Sequence, residues 1–401
     1  MEIAFVFLIA GAVILIGFLG SLSFERTSIP DVLLLLGIGI ILGPALKLVD
    51  LATLTGFAEY FGLFALMIIL FEGGMDIDID KLIKEFGAAS LLVILSFVLS
   101  VLAIASLMYF LIGWDITRSL LLGSILGCTS AAIVIPIIGR MSLKEEIKTL
   151  LSVESAMSDV LAVVITISLI EFAKLESIGI QAPFRAIASS FSIALVAGPA
   201  AGLLWLKVLD FLKGRKYAYM TTLAAMLIVF ALVDMLGGSG PIAILLFGVV
   251  LGNCHSFTRL LKTRVTSVVD ETIKFFHGEV TFFVRTFFFV YMGMMISFRQ
   301  LSFQLFSLMA SMTLLIIVVR LISVVIMSSI FHEKREDRFV MLSMLPRGLA
   351  SAVLATMPFE ANIKGTEIFV EYTFAVIVLT NILMTIGVFV SERKEKMEKK
   401  G

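Results

Sequence analysis

Charge is scarce in this sequence. Only 15% of its 401 residues are Asp, Glu, Lys or Arg, whereas a soluble domain uses about 25% to cover its surface. A water-exposed globule is therefore excluded. The 31 basic residues balance the 31 acidic ones, so no basic excess points to nucleic acid, and no nucleic-acid partner is expected. Cysteine is nearly absent: Cys128 and Cys254 lie in or at the end of apolar runs, and neither a disulfide framework nor a zinc site is expected. Three scattered histidines, His255, His277 and His332, are too few for a metal centre. No cofactor and no enzyme chemistry are implied.

What is abundant is apolar. Sixty per cent of the chain is hydrophobic and the mean hydropathy is +1.09, the composition of an all-α polytopic membrane protein. The first run, to about Leu22, lacks a basic leading region and exceeds a signal-peptide core, so it reads as a spanning helix. Cutting at charges and Pro/Gly predicts about thirteen transmembrane helices. They fall near 3–22, 31–46, 57–75, 87–112, 118–138, 150–172, 184–210, 219–236, 240–253, 277–297, 305–331, 339–357 and 369–390. The second and ninth are short and glycine-rich.

Loop charges orient the bundle. Loops after odd-numbered segments, with the tail, hold 21 of the 31 Lys and Arg, against six on the other side. That asymmetry predicts an outside amino terminus and a cytoplasmic carboxyl terminus in a multi-pass protein of the plasma membrane.

The two halves echo each other at an offset of seven segments. Gly39-Ile-Ile-Leu-Gly43 matches Gly248-Val-Val-Leu-Gly252, each with a proline upstream (Pro30, Pro241). Phe71-Glu72-Gly73-Gly74-Met75 parallels Tyr291-Met292-Gly293-Met294, and Ser130–Pro136 resembles Ser351–Pro358. Six helices, a linker and six more predict two six-helix inverted repeats, an architecture of secondary transporters.

The polar residues cluster on three segments. The fifth carries Gly123, Gly127, Thr129, Ser130 and Pro136; the twelfth carries Pro346, Gly348, Ser351 and Pro358. Pro withholds a backbone donor and Gly tolerates unusual dihedrals, so both helices can break and expose half-helix ends to an ion. Close packing of small residues is the plainer alternative. The sixth segment holds Glu154-Ser155-Ala156-Met157-Ser158-Asp159. Each intramembrane charge costs about 2.5–3.5 kcal/mol on insertion scales, so each needs a partner or a purpose. Ser155, Ser158 and Asp159 share one helical face, while Glu154 lies about 140° away from Asp159. Arg320, deep in an apolar run, is the natural bidentate partner for Glu154 in a structural ion pair. Asp159 is left without a permanent partner. It can hold a proton or a small cation but not both, and that exclusion is enough to couple their movements.

Other polar residues have plainer readings. Glu72 either faces the site or sits at the interface. Arg285 and Glu279 read as structural, and Asp76, Asp78 and Asp80 as a helix-end loop. Arg347 either neutralises dipole ends at the twelfth-segment break or ties it to a neighbour. The Phe275–Phe289 cluster is bulk packing.

Glu154-Ser155-Ala-Met-Ser158-Asp159 resembles the Glu-Ser-x-x-Asn-Asp signature of the monovalent cation–proton antiporters, in particular the NhaP-type proteins and the sodium/proton exchangers. The Arg320 segment, Arg347-Gly348, Thr129 before Ser130, and Leu70-Phe71-Glu72-Gly73-Gly74 agree in identity and order. The resemblance runs from about residue 25 to 390. It implies broken, crossing fifth and twelfth helices and elevator-like alternating access. It also implies a homodimer, whose core spans about 57–172 and 277–390 and whose dimerisation part spans about 1–46 and 184–253. Within a transmembrane domain of 1–392, followed by a basic tail at 393–401, Asp159 would carry cation and proton. Ser155, the Thr129 backbone and Glu72 would support it, and Glu154 would pair with Arg320.

Two positions depart from the electroneutral branch: Ser158 replaces Asn, and Ser130 replaces an acid. A serine is expected to be too short to span as asparagine does, so a ligand or positioning contact changes. One titrating carboxylate suggests one-for-one exchange, of sodium (with lithium) first or potassium second. A sodium-coupled organic-solute symporter would need a larger polar cavity. A sensor would bind cations without flux.

Overall fold

The computed structural model describes residues 3–27, 29–48, 51–175, 181–212, 215, 217–260, 271–296, 303–331 and 337–398, and among them every regular element is helical. In chain order these begin with α1 (Ile3–Thr27), α2 (Asp31–Ile40), α3 (Leu51–Asp76), α4 (Ile79–Leu107), α5 (Ile116–Gly127) and α6 (Ala131–Arg140). Next come α7 (Glu145–Leu175), α8 (Gln181–Leu212), α9 (Ala218–Met235), α10 (Gly240–Gly252) and α11 (Cys254–Leu260). The last are α12 (Glu271–Met294), α13 (Phe303–Ile330), α14 (Arg338–Ser343), α15 (Leu349–Glu360) and α16 (Phe369–Glu398). Wide π-type turns extend α2 over Ile41–Ala45 and α4 over Met108–Ile112.

Among the described residues, seven stretches are long and apolar enough to cross a membrane, for example Gly87–Ile112 and Leu305–Ile330. Asp31–Ala45 and Gly240–Gly252 are shorter, as their glycine-rich sequences suggest. Phe110, Leu111, Val196 and Met235 are largely exposed. In water such a surface would drive association, whereas in lipid it is ordinary.

The helices group into two compact units. The first comprises 1–62, 85–166 and 285–401; the second comprises 63–84 and 167–284. In the first, α2 lies so close to α12 that a Cβ on Gly39 would overlap the Val290 carbonyl and Gly293, and one on Gly43 would press on Met294. In the second, a Cβ on Gly248 would overlap the Phe71 carbonyl of α3, and one on Gly252 the Met75 carbonyl. The matched glycine pairs thus do the same job within each unit: they let one backbone rest on another, as small residues do in lipid-embedded bundles.

Also in the second unit, Gly198 and Gly202 of α8 admit Ala243 and Val250 of α10. Asn253 closes the short link between α3 and α4, donating to the Ile77 carbonyl (2.6 Å) and accepting from the Ile79 amide (2.9 Å). That contact shapes the turn bearing Asp76, Asp78 and Asp80. Within the first unit, Arg285 of α12 pairs with the buried Asp31 of α2 at 2.7 Å, a structural role as its sequence context suggests.

Gly39→Ala should force α2 and α12 apart and lower stability by about 1–3 kcal/mol, the usual cost of overpacking. Gly11→Ala, whose added methyl meets nothing within 4 Å, should leave it unchanged. Thermal unfolding in detergent measures both.

Candidate functional site

The site is built on α7, whose buried face presents Glu154, Ser155 and Ser158. Glu154 is fully buried and Arg320 of α13 is 3% exposed. Two parallel bonds join them, Nη1 to Oε1 at 2.9 Å and Nη2 to Oε2 at 3.4 Å. The guanidinium also donates from Nε to the Met341 carbonyl of α14 (2.9 Å) and from Nη1 to Ser96 Oγ of α4 (3.5 Å). One fork therefore pins four helices together, the bidentate pair that apolar surroundings demand of an arginine and an acid.

Both predicted breaks are present. The fifth segment opens at Cys128-Thr129-Ser130, between α5 and α6; the twelfth opens at Met344–Gly348, between α14 and α15. Breaking a helix in a dry interior orphans carbonyls at one end and amides at the other. Here a group at each end finds an answer. At the carbonyl end of α5, Arg347 donates from Nε to the Leu126 carbonyl at 2.8 Å. At the amide end of α6, Asp159 Oδ2 accepts from the Ala131 amide at 3.2 Å. The positive side chain meets the negative pole of one half-helix, and the negative side chain meets the positive pole of the other.

The two breaks also bind each other. The Ser130 amide donates to the Pro346 carbonyl (2.9 Å). Cys128 Sγ and Ser351 Oγ are 3.2 Å apart. Gly348 lies directly against Ser130, where any Cβ would strike the hydroxyl. Below them α16 supplies a floor: Thr380 Oγ1 accepts from the Arg347 amide (3.1 Å), and Asn381 Nδ2 donates to the Arg347 carbonyl (2.9 Å).

Ser158 behaves differently from its sequence-based expectation. It does span to the break: its Oγ accepts from the Thr129 amide at 3.0 Å, with the carbonyls of Ser155 (3.0 Å) and Thr129 (3.3 Å) within reach of its proton. Serine suffices because α7 passes close to the unwound backbone, so the longer asparagine is not needed to bridge it. Ser155 is buried and turns its hydroxyl back to the Ser152 carbonyl of its own helix (3.1 Å). Pro136 lies inside α6, six residues beyond the break, and so does not itself open the helix there. Glu72 lies half-buried near the end of α3, in the second unit. Asp159, Ser155, Ser158, Thr129, Ser130, Arg347 and Gly348 all come together in the first.

Asp159 is the acid of the site whose needs are not fully met. Its Oδ1 is buried and has no hydrogen-bond partner among the described residues. A buried carboxylate oxygen without a donor invites a proton or a cation. The Ser158 hydroxyl and the Thr129 carbonyl, 3.3 Å apart, are hard oxygens of the kind such a cation takes. Sequence reasoning passed over Cys128, Thr380 and Asn381. Only Asn381 carries a signal of its own, as an amide within the mainly apolar middle of α16.

Half-helices opposed end to end in an apolar bundle, with an acid at one pole and a guanidinium at the other, define a membrane ion-transport fold. That class is matched by a solved structure of the sodium proton antiporter MjNhaP1 from Methanocaldococcus jannaschii at pH 8, with a TM-score of 0.78 over 96% of this chain and 97% of that one, at 21% identity. The family described as "Sodium/hydrogen exchanger, transmembrane" matches residues 11–391, and the chain belongs to it. The K(+)/H(+) antiporter NhaP of Alkalimonas amylolytica is 25% identical over 93% of this chain, which spans 64% of that relative's length. The K(+)/H(+) antiporter NhaP2 of Shewanella oneidensis is 25% identical over 98% of the chain and 67% of its own length. The probable Na(+)/H(+) antiporter 2 of Methanocaldococcus jannaschii is 25% identical over 86% of the chain and 82% of its own.

If the Glu154–Arg320 fork is an architectural pin, Arg320→Met strands a buried charge and should cost about 3–5 kcal/mol. Adding Glu154→Gln should recover much of that loss. Unfolding in detergent, compared across the two single variants and the double variant, reads the coupling directly.

Proposed function

We propose that the chain is a secondary active antiporter, exchanging a monovalent cation for a proton across the membrane. The observation that carries this reading is the half-satisfied Asp159. One oxygen is held by the first amide of α6, and the other is buried without a partner among the described residues. A proton on Asp159 weakens its hold on a cation, and a cation excludes the proton, so the two compete for one carboxylate. With Glu154 committed to Arg320 and Arg347 committed to the Leu126 carbonyl, a single titrating acid carries the exchange. One cation for one proton, and hence electroneutral exchange, follows from that count.

The cation is sodium, with lithium accepted, in the first reading, because Asp159, Ser158 and the Thr129 carbonyl all offer hard oxygens. Potassium is the second reading, favoured by the NhaP and NhaP2 relatives, which are K(+)/H(+) antiporters. The broken crossing helices suit alternating access by elevator-like movement of a core against a dimerisation part in a homodimer. The paired glycine contacts of α2 on α12 and of α10 on α3 support the inverted-repeat arrangement that such movement uses. The loop charges favour a plasma-membrane protein with its carboxyl terminus inside.

Asp159→Asn in proteoliposomes should abolish cation-dependent proton movement and leave the folded protein intact. A fully active variant would sink the proposal. Sodium, lithium and potassium tested with the membrane potential clamped and free separate substrate from stoichiometry: an electroneutral exchanger runs at the same rate under both conditions. Ser158→Asn should shift the apparent cation affinity or selectivity, since the longer amide must displace the present bridge to Thr129. Unchanged kinetics in that variant would mean that the bridge plays no part in cation choice.

A further inference from the structure

A cavity of about 490 Å³ opens between α1, α6 and α12, lined by Ser21, Phe24, Ala132, Pro136, Arg140 and Arg285. Its size lies in the range of small-ligand sites, roughly 300–1,000 Å³. Two guanidinium groups converge on it. Arg140, the last residue of α6, spends one donor on the Phe24 carbonyl (Nη1, 2.7 Å) and lies over the Phe24 ring, 4.8 Å from its centroid. That contact fixes the fork without neutralising it. Arg285 bonds Asp31 through Nη2, and its buried Nε has no partner among the described residues. Asp31 offsets one of the two charges, which leaves one positive charge in surplus in the lining of the cavity.

We propose that this cavity binds a phosphate-bearing anion, either the headgroup of an acidic phospholipid or free phosphate. Paired guanidinium forks recognise phosphate oxygens bidentately. The single surplus charge matches a phosphodiester, and the Ser21 hydroxyl adds a neutral donor. Position favours such a ligand as well. Arg140 ends α6, Phe24 lies near the end of α1, and Asp31 opens α2, so the cavity runs along α6 from Ala132, beside the break, to Arg140 at its end. The basic-residue count assigns that end to the cytoplasmic headgroups, where anionic lipid concentrates beside basic side chains. Phe24, Ala132 and Pro136 supply an apolar wall for the rest of a lipid. A phosphate held by both arginines would tie α6, the half-helix whose first amide holds Asp159, to α12 and α1.

The test uses the full chain purified in an uncharged detergent and follows its thermal unfolding. Phosphatidylglycerol in mixed micelles is compared with phosphatidylcholine, and inorganic phosphate with chloride at equal ionic strength. The expected result is a rise of several degrees with phosphatidylglycerol or with phosphate, at least halved in Arg140→Gln. Ser21→Trp narrows the cavity without removing a charge and should lose the same shift, so the test holds even if the arginine variant folds poorly. A shift with phosphatidylglycerol alone identifies a lipid headgroup, and one with inorganic phosphate identifies the free anion. The proposal is overturned if neither raises the transition, if chloride does so equally, or if the shift survives both substitutions in full.

Discussion

A helix interrupted in an apolar interior must have its freed backbone groups satisfied, and the rest of this structure is arranged around that constraint. An unsatisfied amide or carbonyl costs on the order of 1–3 kcal/mol in a protein interior and more in lipid. The break between α5 and α6 meets that demand from outside its own helix. Arg347 arrives from the opposing break to hold the Leu126 carbonyl, and Asp159 arrives from α7 to hold the Ala131 amide. The Ser130 amide reaches across to the Pro346 carbonyl. Neither break could persist alone, because each provides partners that the other lacks.

That arrangement also gives Asp159 its chemistry. Holding one amide with Oδ2 satisfies only part of a carboxylate that can accept several hydrogen bonds. Glu154, only five positions away, has both of its oxygens in the Arg320 fork and its charge already paired. Two acids on one helix therefore do different work. Arg320 fixes the frame by joining α4, α7, α13 and α14, and against that frame the partner-seeking oxygen of Asp159 is left for a mobile ion. Ser158 keeps the unwound Thr129 in place, with its amide drawn onto the hydroxyl.

Much of this was legible in the sequence, for identifiable reasons. Intramembrane charge is costly enough that Glu154, Asp159 and Arg320 stand out from their apolar surroundings, and a bidentate pair is the natural resolution for two of them. Gly127, Pro346 and Gly348 mark backbone that cannot easily continue as helix, and both breaks lie beside such residues. Other features were not legible. Pro136 looks like a helix breaker, yet α6 continues through it; the opening lies at Cys128–Ser130, where cross-chain partners exist. Thr380 and Asn381 sit in an ordinary-looking apolar helix, and nothing local reveals that they face the Arg347 backbone. Ser158 was expected to be too short, because reach depends on how near α7 passes to the break, a distance that no residue type encodes.

The sequence by itself determined that this chain is a lipid-embedded helical bundle, which segments are prone to break, and which acids and bases are too costly to be idle. Those are properties of single residues and their near neighbours: hydropathy, backbone freedom, and the expense of buried charge. Only the tertiary structure decided which charge answers which helix end, which carboxylate oxygen is left over, and that Arg140 and Arg285 share a cavity. Each of these depends on side chains from segments distant in the chain meeting within about 3–5 Å, the range over which hydrogen bonds and guanidinium contacts act. That proximity is set by how the whole bundle packs.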